Sequence, residues 1–133
     1  MTSKVTYLGH LRTKNQHLKS GNIYTTDAPI DNNGQGEAFS PTDTVATGLA
    51  NCMLTVMGIK SEKMGLDMSG TTAEVTKIMA ADPRRISKII LIIDSPLKAD
   101  KKTQKILEHT ARTCPVIYSL HPDIEKDVTF NWK

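Results

Sequence analysis

Apolar and polar positions alternate weakly over residues 3–15, which predicts a strand. Residues 22–26 read as a second strand, returning from the turn signal Lys19-Ser20-Gly21-Asn22. Residues 27–36 (DAPIDNNGQG) form a loop in which Gly, Asn, Asp and Pro dominate, each favouring a turn for its own reason. A long helix follows. Ser40 can cap it, Pro41 suits the first helical position, and Asp43 stands three residues after the cap, where its carboxylate also opposes the positive end of the helix dipole. Residues 45–59 are small or apolar on nearly every side. Val45, Leu49, Met53 and Val56 share one face, with Cys52, Thr55 and Ile59 displaced around the helix. This helix runs to about Lys63, stops at Gly65, and is expected to be buried on most sides.

Residues 71–79 and 86–94 predict two more strands, separated by the turn Asp82-Pro83-Arg84-Arg85. The second contains IILII, a β-branched run that predicts burial on both faces. After Ser95-Pro96, residues 100–113 form a helix with Ile106 and Leu107 inward and lysines outward. Pro115 opens a short helix over residues 116–120, which makes Cys114 its natural cap. Residues 128–132 alternate as a last strand. The order predicts an α+β domain with a mainly antiparallel sheet, and the 133 residues fit one domain over 1–133.

Aromatic residues are only 5% of the chain, so aliphatics and six methionines must build the core. The net charge of +3 is too small to imply nucleic acid as a partner. The most apolar stretch, residues 45–59, is broken by Thr47, Asn51 and Thr55, so no membrane partner is expected. The first residues lack an apolar signal core, and a cytoplasmic location is expected.

The two cysteines, Cys52 and Cys114, carry the best case for chemistry. A thiolate at a helix N-terminus is stabilised by unpaired backbone N–H groups, which predicts a lowered pKa for Cys114. Cys52, inside an apolar helix, is expected to stay protonated unless a cation reaches it. The plainer reading makes both cysteines small buried hydrophobes. No ligand spacing supports a zinc site built from Cys52, Cys114 and His121, and no metal is expected. Met53, Met57 and Met64 follow helical spacing and read as core packing; the sharper alternative is a Met-lined pocket. Lys98, Lys101, Lys102 and Lys105 read as a solvated helix face.

Two segments resemble a known family. GEAFSPTDTVATGLANCM, residues 36–53, and CPVIYSL, residues 114–120, are similar to the OsmC/Ohr family of osmotically induced and organic hydroperoxide resistance proteins. The likeness is to the branch called "predicted redox protein". A proline-opened helix carrying a small-small-Cys pattern, then Cys-Pro-Val about sixty residues on, makes the signature specific.

The resemblance implies an OsmC-like fold, a long central helix carrying Cys52, and an intertwined homodimer with its sites at the subunit interface. It also implies thiol-dependent peroxidase chemistry that needs no cofactor. Cys52 matches the peroxide-attacking cysteine and Cys114 the resolving one, with a dithiol reductant, dihydrolipoyl-type in some members, restoring both. Arg12, the only arginine before the central helix, resembles the family's thiolate-stabilising arginine. The glutamate that orients this arginine in the hydroperoxide-resistance branch is replaced here by Thr42. Asp43 then reads as either the arginine-orienting acid or a helix cap, with Glu37 a weaker candidate for the first role. An apolar pocket lined by Phe39, Met53 and Met57 would favour organic hydroperoxides over hydrogen peroxide. The alternative is a dimeric redox-sensing or apolar-ligand-binding protein of the same fold. One local observation favours a dimer independently: the apolar helix needs more cover than a chain of this length easily provides.

Overall fold

Ser40 and Asp43 open the long helix as a capping box. The Ser40 N–H donates to Asp43 Oδ2 at 2.9 Å, and the Asp43 N–H donates to Ser40 Oγ at 3.1 Å. In the computed structural model, which describes residues 1–133, this helix is α1 (Pro41–Lys63). Before it come β1 (Ser3–Gly9), β2 (Arg12–His17), β3 (Ile23–Asp27) and a 3-10 turn (Ile30–Asn32). After it come β4 (Thr72–Ala80), β5 (Arg85–Ser95), α2 (Lys101–Arg112), α3 (Pro115–Ser119) and β6 (Glu125–Trp132). The chain is α+β, as its pattern predicts. Its contacts divide it into two compact units, Met1–Val45 and Ala46–Lys133.

In the first unit β1, β2 and β3 form an antiparallel meander with β2 in the centre. The stretch expected as one strand over residues 3–15 is a hairpin. His10 and Leu11 both adopt left-handed backbone angles, φ 54° and 64°, and reverse the chain. Two successive left-handed residues usually announce themselves as Asn-Gly or Gly-Gly, and His-Leu does not.

In the second unit β5 lies between β4 and β6, antiparallel to the first and parallel to the second. The sheet expected as one is therefore two, and three of the four strand pairings are antiparallel. The parallel pair requires a crossover, which α2 and α3 supply. Asp100 caps α2 by accepting the Thr103 N–H at 2.8 Å.

The core of this unit packs Leu49, Met53 and Met57 of α1 against Ile89, Leu91 and Ile93 of β5 and Leu107 of α2. The expectation that β5 is buried on both faces is corrected: Ile89, Leu91 and Ile93 are buried, whereas Ile92 is 36% exposed. The β-branched run followed strand propensity there, not two-sided burial. The helix α1 is corrected in the same sense. Its buried residues, Ala46, Leu49, Ala50, Met53, Met57 and Ser61, form one stripe, while Val45 and Ile59 stay exposed. No helix is long and apolar enough to cross a membrane.

Leu91→Ala is expected to lower unfolding free energy by about 2–5 kcal/mol, and Ile92→Ala by less than half as much. Urea unfolding at one fixed protein concentration checks this; equal losses would mean that both faces of β5 are covered.

Candidate functional site: a thiol pair and an arginine cluster

The second unit brings the two cysteines together. Cys52 sits on α1 beside the buried stripe and is half-buried. It shares its side of the helix with Gly48, Thr55 and Ile59, at spacings of four, three and seven. A Cβ at Gly48 would meet nothing within 4 Å, so this side is open. Cys114 is the N-cap of α3, as its place before Pro115 predicts, and its Sγ accepts the Ile117 N–H at 3.4 Å. Both cysteines are free, and Cys52 is close enough to act on the Cys114 thiol.

The lowered pKa expected for Cys114 is corrected: it is raised. Burial is the largest cause, since the residue is only 1% exposed. The Ile117 N–H pulls the other way but loses, and the neighbouring Cys52 adds to the rise. The cap geometry was legible from Pro115, but the depth at which the cap is buried was not. Negative charge on Cys52 disfavours the thiolate form of Cys114. No group of three or more His, Cys, Asp or Glu side chains gathers as metal ligands. His121 instead lies exposed beside Asp123, at 3.8 Å.

In the first unit Arg12 is the centre of a polar cluster. Its Nη2 donates to Glu37 Oε2 and to Gln35 Oε1 at 3.4 Å, and forms an ion pair with Asp27 Oδ2 at 3.5 Å. The hydrogen bond to Glu37, and then the charge of Asp27, hold the guanidinium pKa above its ordinary value. Of the acidic residues weighed from the sequence, Glu37 pairs with Arg12, and Asp43 closes the capping box with Ser40. Thr42 Oγ1 lies 3.3 Å from Ser40 Oγ. Asp27 was not foreseen as a partner of Arg12. Its signal was available only in the pairing register, which sets Arg12 opposite Asp27.

The residues expected to line an apolar pocket, Phe39, Met53 and Met57, differ in depth. Met53 and Met57 have no exposed surface and pack in the aliphatic core. Phe39 precedes α1 and is 55% exposed.

In folded Cys52→Ser protein, burial still holds the Cys114 thiol up. Iodoacetamide should label Cys114 more slowly than in unfolded protein, with a midpoint above the ordinary thiol value of about 8.5. By linkage, a raised thiol stabilises the fold fully below the unfolded pKa and loses that contribution as pH rises through the folded one. A midpoint below the ordinary value would mean that the helix N-terminus outweighs burial.

The OsmC-like protein family model matches residues 34–129, a span that includes both cysteines. A Psychrobacter arcticus 273-4 protein named for osmotic stress induction and a detoxification response is 59% identical, with a TM-score of 0.96 over 98% of this chain and 96% of that one. An organic hydroperoxide resistance protein OsmC from Legionella pneumophila, also described as a predicted redox protein and regulator of sulfide bond formation, shares 13% identity. Its TM-score is 0.76 over 98% of this chain and 97% of that chain. An organic hydroperoxide resistance protein from Elizabethkingia anophelis, with thiocyanate bound, shares 14% identity and a TM-score of 0.77 over 100% and 97% of the two chains. At these lower identities the likeness is one of fold. No curated protein matches this chain. With the family match running from the loop before α1 into β6, and a relative at 59% identity along almost the whole length, this chain belongs to the OsmC-like family.

Proposed function

We propose that this protein is a thiol-dependent peroxidase that reduces organic hydroperoxides. The observation that carries the reading is the pair of free, neighbouring thiols, drawn together from positions about sixty residues apart. Hydroperoxide resistance among structural relatives supports the same class of chemistry.

The Cys52 thiolate attacks the distal peroxide oxygen. The O–O bond breaks, the alkoxide takes a proton and leaves as an alcohol, and Cys52 becomes a sulfenic acid. Cys114, kept protonated by burial, is protected from attacking peroxide itself. It condenses with the sulfenic acid once deprotonated, forming the Cys52–Cys114 disulfide and releasing water. An external dithiol, of the lipoyl type, then reduces the disulfide by exchange and is itself oxidised. Arg12 is the cation assigned to the Cys52 thiolate and the peroxide, whichever subunit supplies it.

The protein acts as a homodimer in this reading. The open side of α1 and the exposed Val5, Tyr7, Ile23 and Tyr24 of the first sheet are apolar surface that a second copy would cover. The cytoplasm is its proposed location. A second reading, a redox sensor or apolar-ligand binder of the same fold, draws on the raised Cys114 thiol and on Thr42, both of which favour slow turnover.

The test is consumption of cumene hydroperoxide beside hydrogen peroxide, with dihydrolipoamide as reductant. Wild type should consume the organic peroxide faster. Cys52→Ser should abolish turnover, and Cys114→Ser should leave a Cys52 sulfenic acid that a dimedone probe traps. Arg12→Ala should lower kcat/KM by about 10²–10³, the usual loss when one electrostatic stabiliser is removed. Folded, reduced wild type without turnover would favour the second reading.

A further inference from the structure

We infer that Asp27 is the positioning residue that holds Arg12 in its working orientation, with Glu37 a secondary, solvent-exposed partner. The inference rests on the role proposed above for Arg12. Three observations carry it. First, the pairing register of β2 and β3 sets Arg12 directly opposite Asp27, so the backbone of one sheet fixes both residues. Second, Asp27 is fully buried, whereas Glu37 is 63% exposed. An exposed ion pair is screened and contributes little, but a buried carboxylate pulls on its cation through a less polar medium. Third, one oxygen of Asp27 serves two ends of the cluster. Its Oδ2 pairs with Arg12 Nη2 at 3.5 Å and accepts the Glu37 N–H at 3.0 Å. Asp27 thus ties the strand carrying the arginine to the loop carrying Glu37.

The backbone around Asp27 is pinned too. Its N–H donates to the Phe39 carbonyl at 3.0 Å, and the Ala28 N–H donates to the Leu11 carbonyl at 3.1 Å. Asp27 Oδ1, by contrast, is buried with no hydrogen-bond partner. A buried carboxylate with an unsatisfied oxygen is a costly choice for a merely structural position, where an apolar residue would serve. Retaining the charge is reasonable if its task is to hold the guanidinium. Thr42, which has no charge to offer an arginine, leaves that task to another residue.

Peroxide turnover of wild type, Asp27→Asn, Glu37→Gln, Arg12→Ala and the Arg12→Ala/Asp27→Asn double variant tests this. Asp27→Asn keeps the shape and removes the charge. It should lower kcat/KM about tenfold or more, as misplacement of a catalytic group does. Glu37→Gln should cost several-fold less. The double variant should be no slower than Arg12→Ala alone, because Asp27 acts only through that arginine. Full activity in Asp27→Asn beside an inactive Arg12→Ala overturns the inference, as does an additive loss in the double variant. Full activity in Arg12→Ala instead overturns the role of Arg12 and takes the inference with it. If Asp27→Asn fails to fold, the heteronuclear NOE of the Arg12 side-chain Nε–H in wild type decides. A value close to the backbone's supports a held guanidinium, and a freely mobile one overturns it.

Discussion

The placement of Cys52 depends on how α1 is divided between its two sides. Leu49, Ala50 and Met53 lock into the core around it, so the helix cannot rotate without emptying that core. Cys52 lies next to this stripe, on the side shared with Gly48 and Thr55, and is held at intermediate depth. A thiol one position further into the stripe would be sealed from any substrate. One further out would lose its neighbour Cys114. The capping box at Ser40 and Asp43 sets where the helix begins, and with it the phase of every residue downstream.

The two cysteines experience opposed forces that the fold resolves differently. Cys114 receives what a helix N-terminus offers an anion, the Ile117 N–H aimed at its sulfur, yet burial outweighs that donor. The result is a thiol kept neutral at rest beside a more accessible partner. In the cycle proposed above, this asymmetry would separate the jobs of the two sulfurs. The Arg12 cluster follows the same logic of unequal burial, with Asp27 enclosed and Glu37 in solvent.

Much of this was readable from residue pattern. Pro41 with Ser40 and Asp43 located the start of α1, and Pro115 located both the start of α3 and Cys114 as its cap. The cysteine motifs identified the family that the chain-wide comparisons also give. What escaped was set by long-range pairing or by unusual local geometry. The hairpin at His10 and Leu11 uses two left-handed residues that carry no turn signature. The parallel partnership of β5 with β6 joins segments on either side of two helices, and no local pattern encodes it. The same holds for Asp27. Read locally, it is the first polar residue of a loop; only the register with β2 makes it the partner of Arg12. Burial depth also misled, since an aliphatic run such as residues 89–93 looks the same whether a strand is covered on one face or two.

That parallel pairing has a consequence for how the protein is made. Cys114 lies in the crossover between β5 and β6, and Arg112, two residues before it, donates to the Val128 carbonyl at 3.1 Å and stacks on the Phe130 ring at 5.2 Å. The enclosure of Cys114 therefore draws on a strand that the ribosome translates after both cysteines. Until β6 inserts beside β5, the core around Cys114 lacks Val128, and Arg112 lacks its two partners. Premature oxidation would then cross-link the two cysteines to whatever sulfur is nearest. The cysteine pair is thus most open to oxidation during synthesis, before the last strand closes over the crossover that carries Cys114.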